Sequence, residues 1–386
     1  MLDPDVERAV EAALAVLRHN AEGPPDGALP RAAGWGYPEP YTRDLMIAAP
    51  GILLSGDADL IAALRRVLEE LARNQSPRGQ VPGLADDPRD LGSSDTTPLF
   101  LIGLALYRAH TGEAAFLDEA AGRALKWLAY QSPDDRVMVA QQPTSDWRDE
   151  QWVPGYGLYV NTLVYAALRL FGRDVQAGAL YERINLPVIA DGRKPAHVLE
   201  GLALPDQPYY ALWSYKVHYS ARFDLLGNSL AIVFGLAAPE KARAILAWVA
   251  EACAASGAVL PPCLIPAIRR DDPDWRPRYE QFNRPGDYHN GGVWPFIAGW
   301  YVAALVAAGQ MEQARRELAA LAESVRPARR PGLAFGFNEW LAVDGTPRGE
   351  DWQTWSAAML IYAAACVREG RPPFFDDLRR AARGEG

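Results

Sequence analysis

Six times along this chain of 386 residues, a segment dense in Trp, Tyr, Asp, Asn and Gly runs straight into a strongly apolar helical stretch. The segments are GWGYPEPYTRDLM, GSSDTTPLF, SDWRDEQWVPGYG, SARFDLLGNS, GDYHNGGVWP and FNEWLAVDGTPRGEDWQTWS. With Asp44, Asp95, Asp149, Asp224, Asn290 and Glu339 as markers, the steps between them are 51, 54, 75, 66 and 49 residues. A second helical stretch with a charged face follows each, as at Glu312, Gln313, Arg315, Arg316 and Glu317 after the fifth. A helix buried all round beside one with a single wet face is what two concentric rings require. Six such hairpins in series predict an all-α repeat closed into an (α/α)6 barrel, with all six markers opening on one cavity at the N-termini of the inner helices. An open solenoid would use shorter, more uniform repeats of roughly 34 to 47 residues.

Apolar residues at helical spacing, such as Leu60, Ile61, Leu64, Val67, Leu68 and Leu71, support this reading, and alternating strand-like runs are nearly absent. Capping and breaking residues predict helices over 4–19, 43–54, 57–74, 98–111, 114–131, 157–171, 174–183, 227–237, 239–256, 294–308, 311–323 and 354–368. No linker divides the chain, so residues 1–386 are expected to form one barrel domain, with 184–220 as an insertion or lid between hairpins.

Composition narrows the function. The longest nearly apolar stretch, Phe296 to Gly309, has 14 residues, short of the roughly 18 that suggest a membrane span. The start MLDPDVERAV is acidic where a signal peptide is basic, which points to the cytoplasm. A net charge of -9 with no basic block argues against nucleic acid as a partner. Cys253, Cys263 and Cys366 are too far apart for a disulfide framework or a CxxC site, and no two of the five His form a close ligand pair. The nucleotide-binding and serine-hydrolase motifs GxGxxG, GxxxxGK[ST] and GxSxG do not occur. No metal or organic cofactor is therefore expected.

Eight of the twelve Trp (35, 147, 152, 213, 294, 340, 352 and 355) lie in the six segments or in 184–220. Aromatic plates edged by carboxylates and amides match the apolar faces and hydroxyl rims of a sugar. Hydrolysis of a glycosidic bond needs two carboxyl groups across it, one protonated and one ionised. SDWRDE offers Asp146, Asp149 and Glu150, and FNEW offers Glu339. Periodicity does not separate Asp146 from Asp149. Either Asp also suits a helix cap, and Glu339 a salt bridge to Arg348.

These residues resemble a family. TRDLMI, SSDTTPLF, DWRDE followed by GYG, FDLLGNSLAI, YHNGGVWP and NEW with DGTPRG and QTWS are similar to the (α/α)6-barrel glycoside hydrolases, especially neutral/alkaline invertases and the amylo-α-1,6-glucosidase domain of glycogen debranching enzymes. LGNSLAI leans to the invertases, DWRDE to the debranching enzymes. The likeness runs from about Tyr41 to Ala364, and the short N-terminal region and the 184–220 insertion depart from it. The resemblance implies Asp149 as general acid and Glu339 as base, with Arg43, Asp44 and Asp95 holding sugar hydroxyls and His289, Asn290 and Trp294 walling the site. Further candidate sugar contacts are Trp35, Tyr41, Asp146, Trp147, Tyr156, Arg222, Asp224, Asn228, Trp340 and Trp355. It implies inverting cleavage of an α-glucosidic bond, as in sucrose or a short α-glucoside.

Two other functions share such a barrel. A sugar epimerase or isomerase needs a His pair, and here His289 is in a polar segment with His218 just outside; a non-catalytic sugar-binding barrel needs no carboxyl pair. In a six-fold ring the third and sixth segments face each other, so the Asp149 and Glu339 carboxyls are expected about 6.5 to 9.5 Å apart, with room for a water. Trp147 and Trp152 are expected to raise the Asp149 pKa while Glu339 stays ionised. Because two carboxyls suffice for acetal hydrolysis, turnover should survive exhaustive dialysis against a chelator; turnover lost and restored by one particular metal would contradict this.

Overall fold

The computed structural model describes residues 2–22, 29–132, 138–188, 200–216 and 218–382. In chain order the helices are α1 (Pro4–Ala21), α2 (Thr42–Leu54), α3 (Ala58–Arg73), α4 (Thr96–Thr111), α5 (Asp118–Tyr130), α6 (Leu158–Leu170), α7 (Asp174–Ile184), α8 (Leu225–Val233), α9 (Pro239–Ser256), α10 (Tyr279–Phe282), α11 (Pro295–Ala307), α12 (Met311–Ser324), α13 (Thr354–Glu369) and α14 (Asp376–Ala382). All twelve predicted helices have a counterpart here. The short α10 and α14 are additional, each spanning two turns or fewer, too short for a periodic signal.

Two kinds of helix alternate. In α3, Asp57 caps the N-terminus by accepting from the Asp59 and Leu60 N–H groups at 3.0 and 3.1 Å, and Leu60, Leu64, Val67, Leu68 and Leu71 bury one face. In α11 every residue from Pro295 to Ala307 is buried. The helices buried along most of their length close a ring: α2 packs on α4, α4 on α6, α6 on α8, α8 on α11, α11 on α13, and α13 back on α2. The protein is thus an (α/α)6 barrel. Among the described residues no amphipathic helix of comparable length follows the sixth inner helix, α13. Its outer partner is α1, from the other end of the chain, which packs on α13 and α12.

Close approach of the inner helices depends on small residues. A Cβ at Gly51 of α2 would lie 2.6 Å from the Ala358 carbonyl carbon and 2.8 Å from its Cα, and would overlap the carbonyl oxygen. The connections ahead of the inner helices carry short antiparallel pairings. β1 (Tyr156–Gly157) pairs with β2 (Trp213–Tyr215) in the register Tyr156 to Ser214, and β2 pairs with β3 (His218–Ser220). β4 (Phe223–Asp224) pairs with β5 (Leu264–Ile265), and β6 (Trp340–Leu341) with β7 (Pro347–Arg348). Of the 184–220 region, 189–199 and 217 lie outside the described residues. In its described part Leu202, Tyr209, Tyr210 and Leu212 are buried, and the Tyr210 N–H donates to Asn228 Oδ1 of α8 at 3.0 Å.

Gly51→Ala should lower unfolding stability by about 1–3 kcal/mol in urea titration, the usual cost of overpacking. Gly122→Ala, on α5 with nothing within 4 Å of an added Cβ, should be neutral or stabilising.

Candidate active site

Two arginines, Arg148 fully buried and Arg43 largely so, tie the polar segments together. Arg43, in the first turn of α2, donates from Nε to Asp95 Oδ2 at 2.6 Å and from Nη2 to Asp95 Oδ1 at 3.2 Å and the Asp146 carbonyl at 2.8 Å. Arg148 donates from Nη2 to Asp146 Oδ2 at 2.9 Å and places Nη1 3.1 Å from Asp224 Oδ2. The Arg148 N–H and Gln141 Nε2 also donate to the Asp146 carboxylate, at 2.7 and 3.0 Å. Burial alone would raise the Asp146 pKa, but Arg148 and these donors hold it below the ordinary value. For Asp95 and Asp224 burial wins over the attraction of Arg43 and Arg148, and both are raised.

On the open side of this network lies a cavity of about 140 Å³. Tyr41, Arg43, Asp44, Trp147, Asp149, His289, Trp294, Glu339 and Trp355 line it, together with Tyr37, Tyr288 and Gln353. One wall is an aromatic stack: His289 lies between Tyr288, ring centroids 4.0 Å apart, and Trp294 at 5.4 Å, with Trp147 edge-on at 5.1 Å. Burial drives the His289 pKa well below its ordinary value, so the ring is neutral.

Three carboxyl groups share this space with one guanidinium. Burial pushes Asp44 up to about 7 against the pull of Arg43, with Glu339 and Asp149 adding to the rise. Glu339, 6% exposed, is also pushed up to about 7 by burial. Its partial stabilisers are the Glu350 N–H, donating to Oε2 at 3.2 Å, and the Tyr288 hydroxyl, donating to Oε1 at 3.3 Å. Asp149 is raised by burial and lowered by Arg43, whose Nη1 is 3.9 Å from Oδ2. Its side chain lies down in the cleft among protein atoms yet stays 58% open to water, which tempers the rise. His289 Nε2 is 3.9 Å from Asp149 Oδ1, beyond hydrogen-bond reach.

Several expected positions are corrected. Of the six markers, Asp44, Asp149 and Glu339 line the cavity, whereas Asp95, Asp224 and Asn290 are fully buried behind it. Asp95, Asp146 and Asp224 are consumed by the two arginines. Asn228 and Asn290 are taken up by backbone: Asn228 donates to Asp224 O at 3.0 Å, and Asn290 donates to Ile268 O and Asn283 O at 2.9 and 2.8 Å. Arg222 pairs with Asp272 at 2.8 Å and Asp274 at 2.5 Å. Trp35 packs with His19 and Trp352 under Arg330, Tyr156 is held in β1, and Trp340 packs edge-on to Tyr288 from outside the cavity wall. Trp152 is also off the wall, 45% exposed beneath Arg276, so it does not desolvate Asp149 as expected. Glu339 is expected to stay ionised, but burial pushes its pKa up to about 7. The ion pair of Glu339 with Arg348 is not formed among the described residues; Arg348 is exposed on β7.

Four residues escaped the sequence reading. Tyr37, Tyr288 and Gln353 stand inside the GWGYPEPY, YHNG and QTWS pieces, where their aromatic or amide character was the available signal. Arg148, between two singled-out aspartates, carried no signal of burial. Among the described residues no group of three His, Cys, Asp or Glu could hold a metal ion, and no helix is long and apolar enough to cross a membrane.

Residues 209–369 match the alkaline and neutral invertase family. The matched region runs from the end of the insertion through YHNGGVWP and Glu339 to the end of α13. Cytosolic invertase 1 of Oryza sativa subsp. japonica is 31% identical over 157 residues, 38% of this chain and 26% of that protein. The mitochondrial alkaline/neutral invertase C of Arabidopsis thaliana is 24% identical over 177 residues, 43% of this chain and 25% of that protein. Each alignment thus spans about a quarter of the relative's length. Among solved structures, a GH63 mannosylglycerate hydrolase from Thermus thermophilus, in complex with Tris and D-glycerate, superposes with a TM-score of 0.65 at 17% identity, covering 92% of this chain and 99% of that one. A bacterial glucoamylase complexed with acarbose gives 0.67 at 14% identity, covering 98% of this chain and 58% of that one. Both likenesses extend over nearly the whole chain and agree with the closed helical ring.

Arg148→Met should cost about 3–5 kcal/mol in denaturant unfolding, because it leaves Asp146 and Asp224 buried without their partner. Arg278→Ala, breaking the exposed pair with Glu150, should change stability little.

Proposed function

We propose that this protein is a glycoside hydrolase cleaving an α-glucosidic bond of a small saccharide, of the sucrose type or a short α-glucoside, with inversion at the anomeric carbon. One observation carries the reading: Asp149 and Glu339, 190 residues apart in sequence, stand on the wall of one aromatic-lined cavity, each raised above its ordinary pKa. The invertase relatives and the hydrolase and glucoamylase neighbours support it.

In this mechanism Asp149 gives its proton to the leaving oxygen as the bond to the anomeric carbon breaks. Water attacks that carbon from the opposite face and passes a proton to Glu339. Arg43, near Asp149, stabilises the carboxylate that forms. Trp147, Trp294 and Trp355 offer apolar surface to the sugar ring, and Asp44 an acceptor for its hydroxyls. The epimerase reading is weaker, because among the described residues His289 is the only His on the cavity wall, and it is held neutral in an aromatic stack.

The base must be ionised to accept a proton. Glu339, with its pKa near 7, loses that capacity as pH falls, so kcat/KM should drop on the acid side of about 7. An acid limb instead near 4 would show that the base is a solvated carboxylate. Turnover on sucrose, trehalose, isomaltose, maltose and glucosylglycerate is the direct assay. Asp149→Asn and Glu339→Gln should each lower kcat by about 10² or more. Asp146→Asn should act mainly on stability, since it loosens Arg148. α-Glucosyl fluoride, whose leaving group needs little protonation, separates the roles: Asp149→Asn should retain activity on it and Glu339→Gln should not. The opposite pattern would exchange acid and base. Proton NMR should show the first-formed sugar as the β-anomer; the α-anomer would refute inversion.

A further inference from the structure

The backbone around Glu339 is unusually constrained. Three bulky residues near it adopt left-handed backbone, Tyr288 at φ 48°, Phe337 at 43° and Trp352 at 60°, each at an energetic cost. Gly349, at φ 66°, follows β7 and faces Glu339 directly. A Cβ at this position would lie 2.5 Å from Glu339 Cβ and 2.9 Å from its carboxyl carbon, and would overlap Oε2. The next residue closes a reciprocal pair: the Glu339 N–H donates to Glu350 O at 2.9 Å, and the Glu350 N–H donates to Glu339 Oε2 at 3.2 Å. Asp351, 5% exposed, then accepts from the Arg329 and Arg330 N–H groups at 3.1 and 2.6 Å and from the Asn338 side-chain amide. Asn338 immediately precedes Glu339, so the turn is anchored on both sides of the carboxylate.

We propose that the Gly349–Asp351 turn is a positioning device for the Glu339 carboxylate. Gly349 leaves the volume the carboxylate occupies, the Glu350 N–H fixes one oxygen so that the other meets Tyr288, and Asp351 locks the turn to the 329–330 loop and Asn338. The inference rests on Glu339 being the base of the reaction proposed above. It adds positioning residues that touch the carboxylate's supports rather than the sugar.

The groups facing Glu339 are Tyr37 and Asp44 from the first segment, Asp149 from the third, Tyr288 from the fifth and Glu350 from its own hairpin. The two donors, the Glu350 N–H and the Tyr288 hydroxyl, favour the ionised form. A displaced carboxylate loses them while keeping its buried, acidic surroundings, so its pKa must rise.

The experiment compares Gly349→Ala with Gly345→Ala. Both positions have positive φ, but a Cβ at Gly345 meets only Val259, at 3.4 Å, so the second variant carries the backbone strain without the collision. Gly349→Ala should reduce kcat about 10- to 100-fold with KM nearly unchanged, the scale of a misplaced catalytic group, and move the acid limb to higher pH. Gly345→Ala should do neither. Carboxyl-carbon NMR of 13C-Glu-labelled protein, with the Glu339 signal assigned by its loss in Glu339→Gln, should show the Glu339 titration raised in Gly349→Ala alone. That reading needs no substrate. If Glu339→Gln turns over normally, the assignment of the base fails while the titration still decides the role of the turn. A Glu339 titration identical in Gly349→Ala, Gly345→Ala and the unaltered protein overturns the proposal. Should Gly349→Ala not fold, Asp351→Asn decides: a raised Glu339 titration supports the device, and an unchanged one overturns it.

Discussion

Arg148 is a buried cation and Arg43 a largely buried one, and the polar end of the barrel is organised around pairing them. Taking guanidinium groups out of water is tolerable only when carboxylates and carbonyls meet them in good geometry. Asp95 and Asp146 do so through hydrogen bonds and Asp224 through an ion-pair contact of 3.1 Å, from three different segments, and Arg43 comes from a fourth. Four of the six hairpins are thereby held in one register at their N-terminal ends. Apolar packing of α2, α4, α6, α8, α11 and α13 closes the ring, but such packing is forgiving of small rotations. The ion network is not, which gives the rigid back wall on which a polar cavity can be built.

That wall determines the electrostatics in front of it. Arg43 is already committed to Asp95 at 2.6 Å, so only part of its charge serves Asp149 and Asp44. Burial then dominates, and both Asp44 and Glu339 rise to about 7. A cavity of crowded, poorly compensated carboxyls beside a neutral His289 suits proton transfer near neutrality. The strained backbone at Tyr288, Phe337 and Trp352 belongs to the same region, where surrounding contacts over-determine conformations that a free chain would avoid.

Much of the architecture was legible because it rests on periodicity. The apolar stretch that becomes α11 and the amphipathic stretch that becomes α3 differ in pattern along the chain, and burial all round against burial on one face follows from that difference alone. The site was legible only in part. Asp44 follows Arg43, Asp95 follows two serines, and Asp146 and Asp149 flank Trp147 and Arg148; nothing local tells which of these carboxylates faces solvent. The same holds for Asn290, read as a sugar contact, whose amide instead bonds the backbone of Ile268 and Asn283.

By itself, then, the sequence determined the all-α repeat, the clustering of aromatic and acidic residues at one end, and the resemblance to invertase-like hydrolases, since each is written in the order and spacing of residue types. Tertiary structure alone decided that α1 completes the outer layer over α13, and that Asp95, Asp146 and Asp224 face two arginines while Asp44, Asp149 and Glu339 face the cavity. It also decided that Glu339 sits nearly buried against Gly349. The physical reason is that burial and ion pairing depend on distances between segments about fifty or more residues apart, and a side chain's charge state is set by those neighbours rather than by its place in the chain.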